Sequence, residues 1–125
     1  MASEIMTVIV TGGASGIGES VSRSIIERGG NVGIIDLDTA RGEDLAEELG
    51  TKCFFRKADV NDEAQLSSAY LYLKECLTDI TGCVACAGVR PVRDPIQEHS
   101  LEDFRKVMDN HLSGTFLTCK IAGLD

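Results

Sequence analysis

Basic residues are scarce in this sequence, which sets 12 Lys and Arg against 20 Asp and Glu for a net charge of -8. Binding to nucleic acid needs a basic footprint that displaces counterions, so that class of partner is excluded, and an anionic membrane surface with it. Arg90 and Arg93, flanking Pro91, read as solvated loop residues rather than an anion clamp. Proline is missing from the first 90 positions, and the only two lie at 91 and 95, so nothing upstream interrupts regular elements. No apolar run approaches the ~20 residues needed to span a bilayer. The five cysteines, at 53, 76, 83, 86 and 119, are odd in number and lack the dense spacing of a disulfide framework. With no secretory leader legible, they favour a reducing, cytoplasmic setting.

What is present is a regular alternation of strand-like and helix-like periodicity along all 125 residues, enough for one domain or part of one. Residues 6–10 form a continuous apolar run rich in β-branched side chains and predict a buried strand. Residues 17–28 predict a helix with Val21, Ile25 and Ile26 on one face, stopped at Gly29-Gly30. A second strand over 32–35 ends at Asp36, and a second helix over 39–49 turns Leu45, Ala46 and Leu49 inward before Gly50. A short third strand spans 53–55. Asn61 is the expected cap of a third helix carrying Leu66, Ala69, Tyr70, Leu73 and Leu77 at helical spacing. A fourth apolar strand spans 80–87. Ser100 caps a fourth helix in a capping box with Asp103, with Leu101, Phe104, Val107 and Met108 expected on its buried side.

Strands separated by helix-length crossovers must run parallel, with right-handed connections that place helices on both faces. Apolar strands agree, because both faces are then covered. The fold class expected is α/β, a three-layer Rossmann-type parallel sheet truncated to about four βα units, in a single domain over 1–125.

Gly12, Gly16 and Gly18 lie between the first strand and first helix. Glycine there permits a tight turn, lets a phosphate approach the backbone and lets helix pack on strand. A pyrophosphate would sit at the positive end of the helix, near the N–H groups of Ser15, Gly16, Ile17 and Gly18. Asp36 follows Gly18 by 18 residues at the end of the next strand. A carboxylate at that place accepts from the adenosine ribose hydroxyls and repels a 2′-phosphate, so NAD is favoured over NADP. No arginine or lysine lies in the glycine loop to offset it, and Arg41 falls a turn into the next helix.

Thr11-Gly12-Gly13-Ala14-Ser15-Gly16-Ile17-Gly18 resembles the fingerprint of the short-chain dehydrogenase/reductase family. Asp59-Val60 resembles that family's adenine-ring contact, and Cys86-Ala87-Gly88 closes the fourth strand as its Asn-Cys-Ala-Gly does. Residues 101–109 and 112–116 are similar to the segment entering its long central helix. The wording is closest to the branch containing type 2 hydroxyacyl-CoA dehydrogenases. The resemblance implies an NAD-binding role for Gly12, Ser15, Gly16, Ile17, Gly18, Asp36, Leu37, Asp59, Val60, Cys86, Ala87 and Gly88, in the N-terminal half of an oxidoreductase.

Departures from the family's pattern bear on activity. The family's catalytic serine and Tyr-x-x-x-Lys pair have no counterpart in these residues, so the chain alone is expected not to turn over and its affinity for the cofactor is expected to fall. Tyr70 and Lys74 match Tyr-x-x-x-Lys in form only, since they fall in the third helix. His111 stands where the family has asparagine, with Asn110 one place early and expected to face elsewhere. Ala85 replaces another asparagine that ties neighbouring strands. His111 is the candidate acid/base of a redox-neutral alternative, an isomerase, cyclase or dehydratase with a dimer-formed pocket; a non-catalytic binding module is the other alternative. Cys83-Val84-Ala85-Cys86 matches Cys-x-x-Cys, but i and i+3 on a strand face opposite ways, so no metal is expected. In the family's strand order the fourth strand would be left at an edge here. That predicts a homodimer through the fourth strand or the terminal helix.

Overall fold

The computed structural model describes residues 5–90 and 93–123; Pro91 lies outside them. Four parallel strands, β1 (Thr7–Thr11), β2 (Asn31–Asp36), β3 (Cys53–Lys57) and β4 (Gly82–Ala85), form one sheet in the order β3-β2-β1-β4. The intervening helices are α1 (Gly16–Glu27), α2 (Thr39–Leu49) and α3 (Glu63–Cys76). After β4 come a 3-10 turn (Ile96–Glu98), α4 (Leu101–Met108), a π-turn (Asp109–Ser113) and α5 (Gly114–Ala122). The expected α/β three-layer parallel architecture is what forms.

The two-residue period of the strands divides the core between two faces. Val8, Val10, Val32 and Ile34 point to one side, where Ile25 of α1 and Leu45 of α2 close over them. Ile9 and Ile35 point to the other, where α3 supplies Leu66, Ala69, Tyr70 and Leu73 and α5 supplies Ile121. β1 is buried along its whole length, which is why its five residues need no polar alternation. Register is set by Ile9 lying opposite Gly33 in β2 and Cys83 in β4.

Helix ends obey local chemistry. Asp38 caps α2 by accepting from the Arg41 N–H at 3.1 Å, and Gly50 stops it with φ of 92°. The α3 cap is Asp62 rather than Asn61: its carboxylate accepts from the Gln65 N–H at 3.0 Å, while the Asn61 N–H donates to Asp59 in a turn of its own. Ser100 Oγ accepts from the Asp103 N–H at 3.0 Å, as the capping pattern requires.

The expected burial of α4 does not hold. Leu101, Phe104 and Met108 are 60%, 55% and 39% exposed, and no α4 residue is buried. The periodicity correctly marks one apolar face, but the described sheet ends at β4 and no fifth strand lies under it. With Leu112 and Phe116, also exposed, these side chains continue one stripe through the π-turn into α5. β3 is longer than its apolar part, because Arg56 and Lys57 pair with Ile35 and Asp36. Their charges line an outer edge, where they oppose pairing with another chain.

Candidate functional site

The carboxyl ends of β1, β2 and β4 open on a cleft of about 560 Å³. Gly12, Ser15, Gly16 and Ile17 form one wall, Asp36, Leu37 and Val60 a second, and Cys86, Ala87 and Gly88 a third. The sequence therefore assembled most of its predicted site residues at one place. Gly18 lies behind the wall at the start of α1, and Asp59 is half-buried beside Val60.

Two glycines are required by contact. Gly12 has φ of +64°, and a Cβ on it would lie 2.6 Å from Ala87 Cα and 2.7 Å from Ala87 N. A Cβ on Gly18 would collide with the carbonyl of Gly12. The loop is thus pressed on one side against the end of β4 and on the other against its own helix. Gly12 N–H is committed to Ile35 O at 2.7 Å, and Cys86 N–H to Thr11 O at 3.0 Å, which seals the cleft floor. The buried Thr11 hydroxyl accepts from the Ala87 N–H at 3.4 Å and does some of the strand tying that Ala85 cannot.

Asp36 closes the loop from the opposite side. Its Oδ2 accepts from the Ala14 N–H at 3.1 Å and its Oδ1 from the Asp38 N–H at 3.0 Å. The carboxylate is fixed at the cleft rim with lone pairs remaining for hydroxyl donors. Arg41 reaches further than its position in α2 suggests. Its Nε donates to Ala14 O at 3.2 Å, so a cation does border the glycine loop.

The π-turn changes which residue meets the cleft. Asn110 is buried and lines it, and among the described residues its Oδ1 has no hydrogen-bond partner. His111 is exposed; its Nε2 lies 3.1 Å from Val89 N and 2.9 Å from Val89 O, accepting from one or donating to the other according to tautomer. The family pattern places His111 where its asparagine stands, but with the extra residue of the i→i+5 turn it is Asn110 that lines the cleft. Asn110 followed by His111-Leu112-Ser113-Gly114 carries no sequence signal of that turn. Arg90 also lines the mouth and is exposed.

Other sequence candidates lie elsewhere. Tyr70 is 5% exposed in the core between α3 and α5, and Tyr72 is at the surface with the Arg56 guanidinium 4.5 Å above its ring. Cys83 packs against the α3/α5 core, whereas Cys86 lines the cleft. Burial pushes the Cys83 thiol up to about 11 and raises that of Cys86 as well. All five cysteines are free, and among the described residues no three His, Cys, Asp or Glu side chains gather as metal ligands would. No helix of the described residues is long and apolar enough to cross a membrane.

Comparison with known proteins gives the same picture. The short chain dehydrogenase family profile matches residues 6–123. Human 3-hydroxyacyl-CoA dehydrogenase type-2 is 34% identical over 116 residues, which cover 89% of this chain and 44% of the human protein. The Drosophila melanogaster protein of the same name is 34% identical over 122 residues, 93% of this chain and 48% of its own length. The chain therefore spans a little under half the length of these relatives. Among solved structures, a short-chain type dehydrogenase/reductase from Mycobacterium ulcerans superposes with a TM-score of 0.89 at 26% identity, covering 95% of this chain and 46% of that one. A 3-ketoacyl-ACP reductase from Sinorhizobium meliloti 1021 does so with a TM-score of 0.86 at 29% identity, covering 92% and 46%. On a profile match along nearly its whole length, relatives 34% identical over about nine-tenths of it and a sheet that superposes on solved members, the chain belongs to the short-chain dehydrogenase/reductase family.

Proposed function

We propose that these residues are the cofactor-holding part of an NAD-dependent oxidoreductase. The observation that carries the reading is the Asp36 carboxylate, held at the cleft rim by two backbone N–H groups and facing the glycine wall. The residues fit a dinucleotide on grounds of their own. The loop is bare of side chains where a Cβ would collide, and an unpartnered buried Asn110 Oδ1 waits on the inner side. When bound, the dinucleotide would supply the ring that exchanges hydride with substrate. The chain's own part is to hold it. Gly16 to Gly18 present α1 N–H groups to the pyrophosphate. Asp36 accepts from ribose hydroxyls and disfavours a 2′-phosphate. Val60 and Leu37 offer apolar contact to the adenine.

Hydride transfer belongs in this reading to the whole family architecture, and the 125 residues alone bind without turning over. Engagement of His111 Nε2 at the Val89 backbone counts against its service as acid/base in the redox-neutral alternative. Free cysteines throughout support a reducing, cytoplasmic setting.

Calorimetric titration of the chain with NAD and NADP tests the proposal. NAD should bind the more tightly, and Asp36→Ala should weaken it about ten- to a hundredfold, the worth of hydrogen bonds to a charged group. Equal affinity of wild type and D36A for both dinucleotides would refute the assignment.

The apolar stripe from Leu101 to Phe116 supports a homodimer as partner. Glu102 and Asp103 begin α4 while Arg105 and Lys106 end it, so a two-fold antiparallel apposition of this face sets unlike charges opposite one another. Sedimentation should show a concentration-dependent dimer that Phe104→Asp abolishes; a wild-type chain that stays monomeric at every concentration would refute it.

A further inference from the structure

The Arg41 guanidinium and the Asp36 carboxylate bracket a single residue. Arg41 Nε holds Ala14 O at 3.2 Å while Asp36 Oδ2 holds Ala14 N at 3.1 Å. Since one residue's N and O are only a few ångströms apart, the two charges lie within about 10 Å of each other. A free guanidinium there would draw a phosphate toward the same corner from which Asp36 repels it.

The guanidinium is not free. Its terminal nitrogen donates to Glu19 Oε1 at 3.0 Å. Glu19 Oε2 accepts from Arg23 Nε at 3.0 Å, and Arg23 grips both carboxylate oxygens of Glu48 at 3.0 and 2.9 Å. The chain of charges therefore runs Arg41, Glu19, Arg23, Glu48 across α1 and α2. The hydrogen bond from Arg23, with Arg41 adding to it, holds the Glu19 carboxyl below its ordinary range, so it stays ionised. Without Glu19, Arg23 keeps a bidentate partner, whereas Arg41 loses its ion pair. Its long stem, 57% exposed, is then able to swing.

We propose that Glu19 sets the dinucleotide preference of this cleft at one remove: by pairing with Arg41 it keeps that cation off the adenosine-ribose corner, so that Asp36 decides between a 2′-hydroxyl and a 2′-phosphate. Glu19 is a positioning residue in this scheme, and Arg41 a latent phosphate ligand. The inference rests on the dinucleotide reading of the cleft and deepens it. Neutralising Glu19 leaves Asp36 in place, so discrimination falls rather than inverts.

The test is calorimetric binding of NAD and NADP to the full chain as wild type, Glu19→Gln, Arg41→Gln and the double variant. Glutamine keeps the size of Glu19 but removes its charge and turns one of its two acceptor oxygens into an N–H donor, so it cannot accept from both Arg41 and Arg23. In E19Q the ratio of NADP to NAD affinity should rise about three- to tenfold, as expected for one released unit charge several ångströms from a phosphate at partly screened dielectric. The rise should vanish in E19Q/R41Q and shrink as salt is raised. A purely structural role for Glu19 would weaken both dinucleotides alike and leave the ratio unmoved, which overturns the proposal. So does a rise that persists without Arg41. If wild type binds NAD and E19Q shows no change, only this inference falls; if wild type binds neither dinucleotide, the reading of the cleft falls and takes this one with it. Thermal melts of each variant establish that the titrated protein is folded.

Discussion

Replacing Gly12 by alanine is expected to cost about 2–5 kcal/mol of folding stability, as two separable effects. The first is conformational. Gly12 sits at φ of +64°, where an L-residue loses about 1–2 kcal/mol. The second is steric. The new Cβ would lie 2.6 Å from Ala87 Cα, 2.7 Å from Ala87 N and 2.9 Å from the Cys86 carbonyl carbon, where carbon atoms prefer about 3.5–4.0 Å. All three are backbone atoms, so no rotamer change relieves the overlap. The loop or β4 must move by about 1 Å, and overpacking of this kind costs about 1–3 kcal/mol. Gly16 separates the two effects. It has φ of +55° and no atom within 4 Å of a built Cβ, so Gly16→Ala should show the conformational cost alone. Equilibrium urea unfolding of the three proteins at matched m-value is the assay, with G12A below G16A by about 1–3 kcal/mol. Midpoints that agree within about 0.5 kcal/mol would refute the claim that close approach to β4 is what demands glycine.

Further outcomes follow from burial. Leu73 is fully buried and Leu71 is 57% exposed, two residues away on the same helix; Leu73→Ala should cost about 2–5 kcal/mol and Leu71→Ala under about 0.5, read from urea midpoints. Burial pushes the Cys53 and Cys83 thiols up to about 11 from 9.0. The native state thus holds these protons more tightly than the unfolded chain, so their contribution is intact below pH 9 and lost as pH rises through about 11. The drop in urea midpoint between pH 8 and 10.5 should be smaller in Cys53→Ala than in wild type, and an equal drop would refute the assignment.

The fold was legible in the sequence wherever burial on both faces makes a strand uniformly apolar. β1 and β2 announce themselves so, and α2 matches its expected bounds of 39–49 because Asp38 and Gly50 fix its ends by local chemistry. β4 is shorter than the expected 80–87, pairing only over Gly82–Ala85, and as an edge strand it is half-buried. Legibility failed where local rules compete or where a neighbour is missing. Asn61 and Asp62 are both good caps, and the choice between them depends on a turn around Asp59 that spacing does not encode. Arg56 and Lys57 hide the end of β3 because an edge strand tolerates charge. The α4 stripe was read correctly as a face and wrongly as a buried one, since periodicity reports that a surface wants a partner and not where the partner is. For the site, the glycine loop and Asp36 were legible because their spacing is imposed by the strand–turn–helix crossover. Arg41 and Asn110 were not. One reaches the loop through a long flexible side chain, and the other is turned inward by a π-turn.

The cradle and the sheet are held by the same contacts, and that coupling explains why the glycine loop predicts both so well. Gly12 N–H is bonded to Ile35 O in β2 while its α-carbon abuts Ala87 beyond β4. The loop therefore pins together the carboxyl ends of strands on both sides of β1. Asp36 repeats the arrangement on the β2 side by holding Ala14, so its carboxylate helps fix the loop it faces. A substitution at either position thus disturbs the anchoring of the loop as well as the cleft it lines. Asn110 differs. Its amide oxygen is buried at the cleft without a partner among the described residues, a cost of about 1–3 kcal/mol that the fold alone gives no reason to carry. It is this unmet bond, more than the glycines, that marks the cleft as a place built to receive something polar.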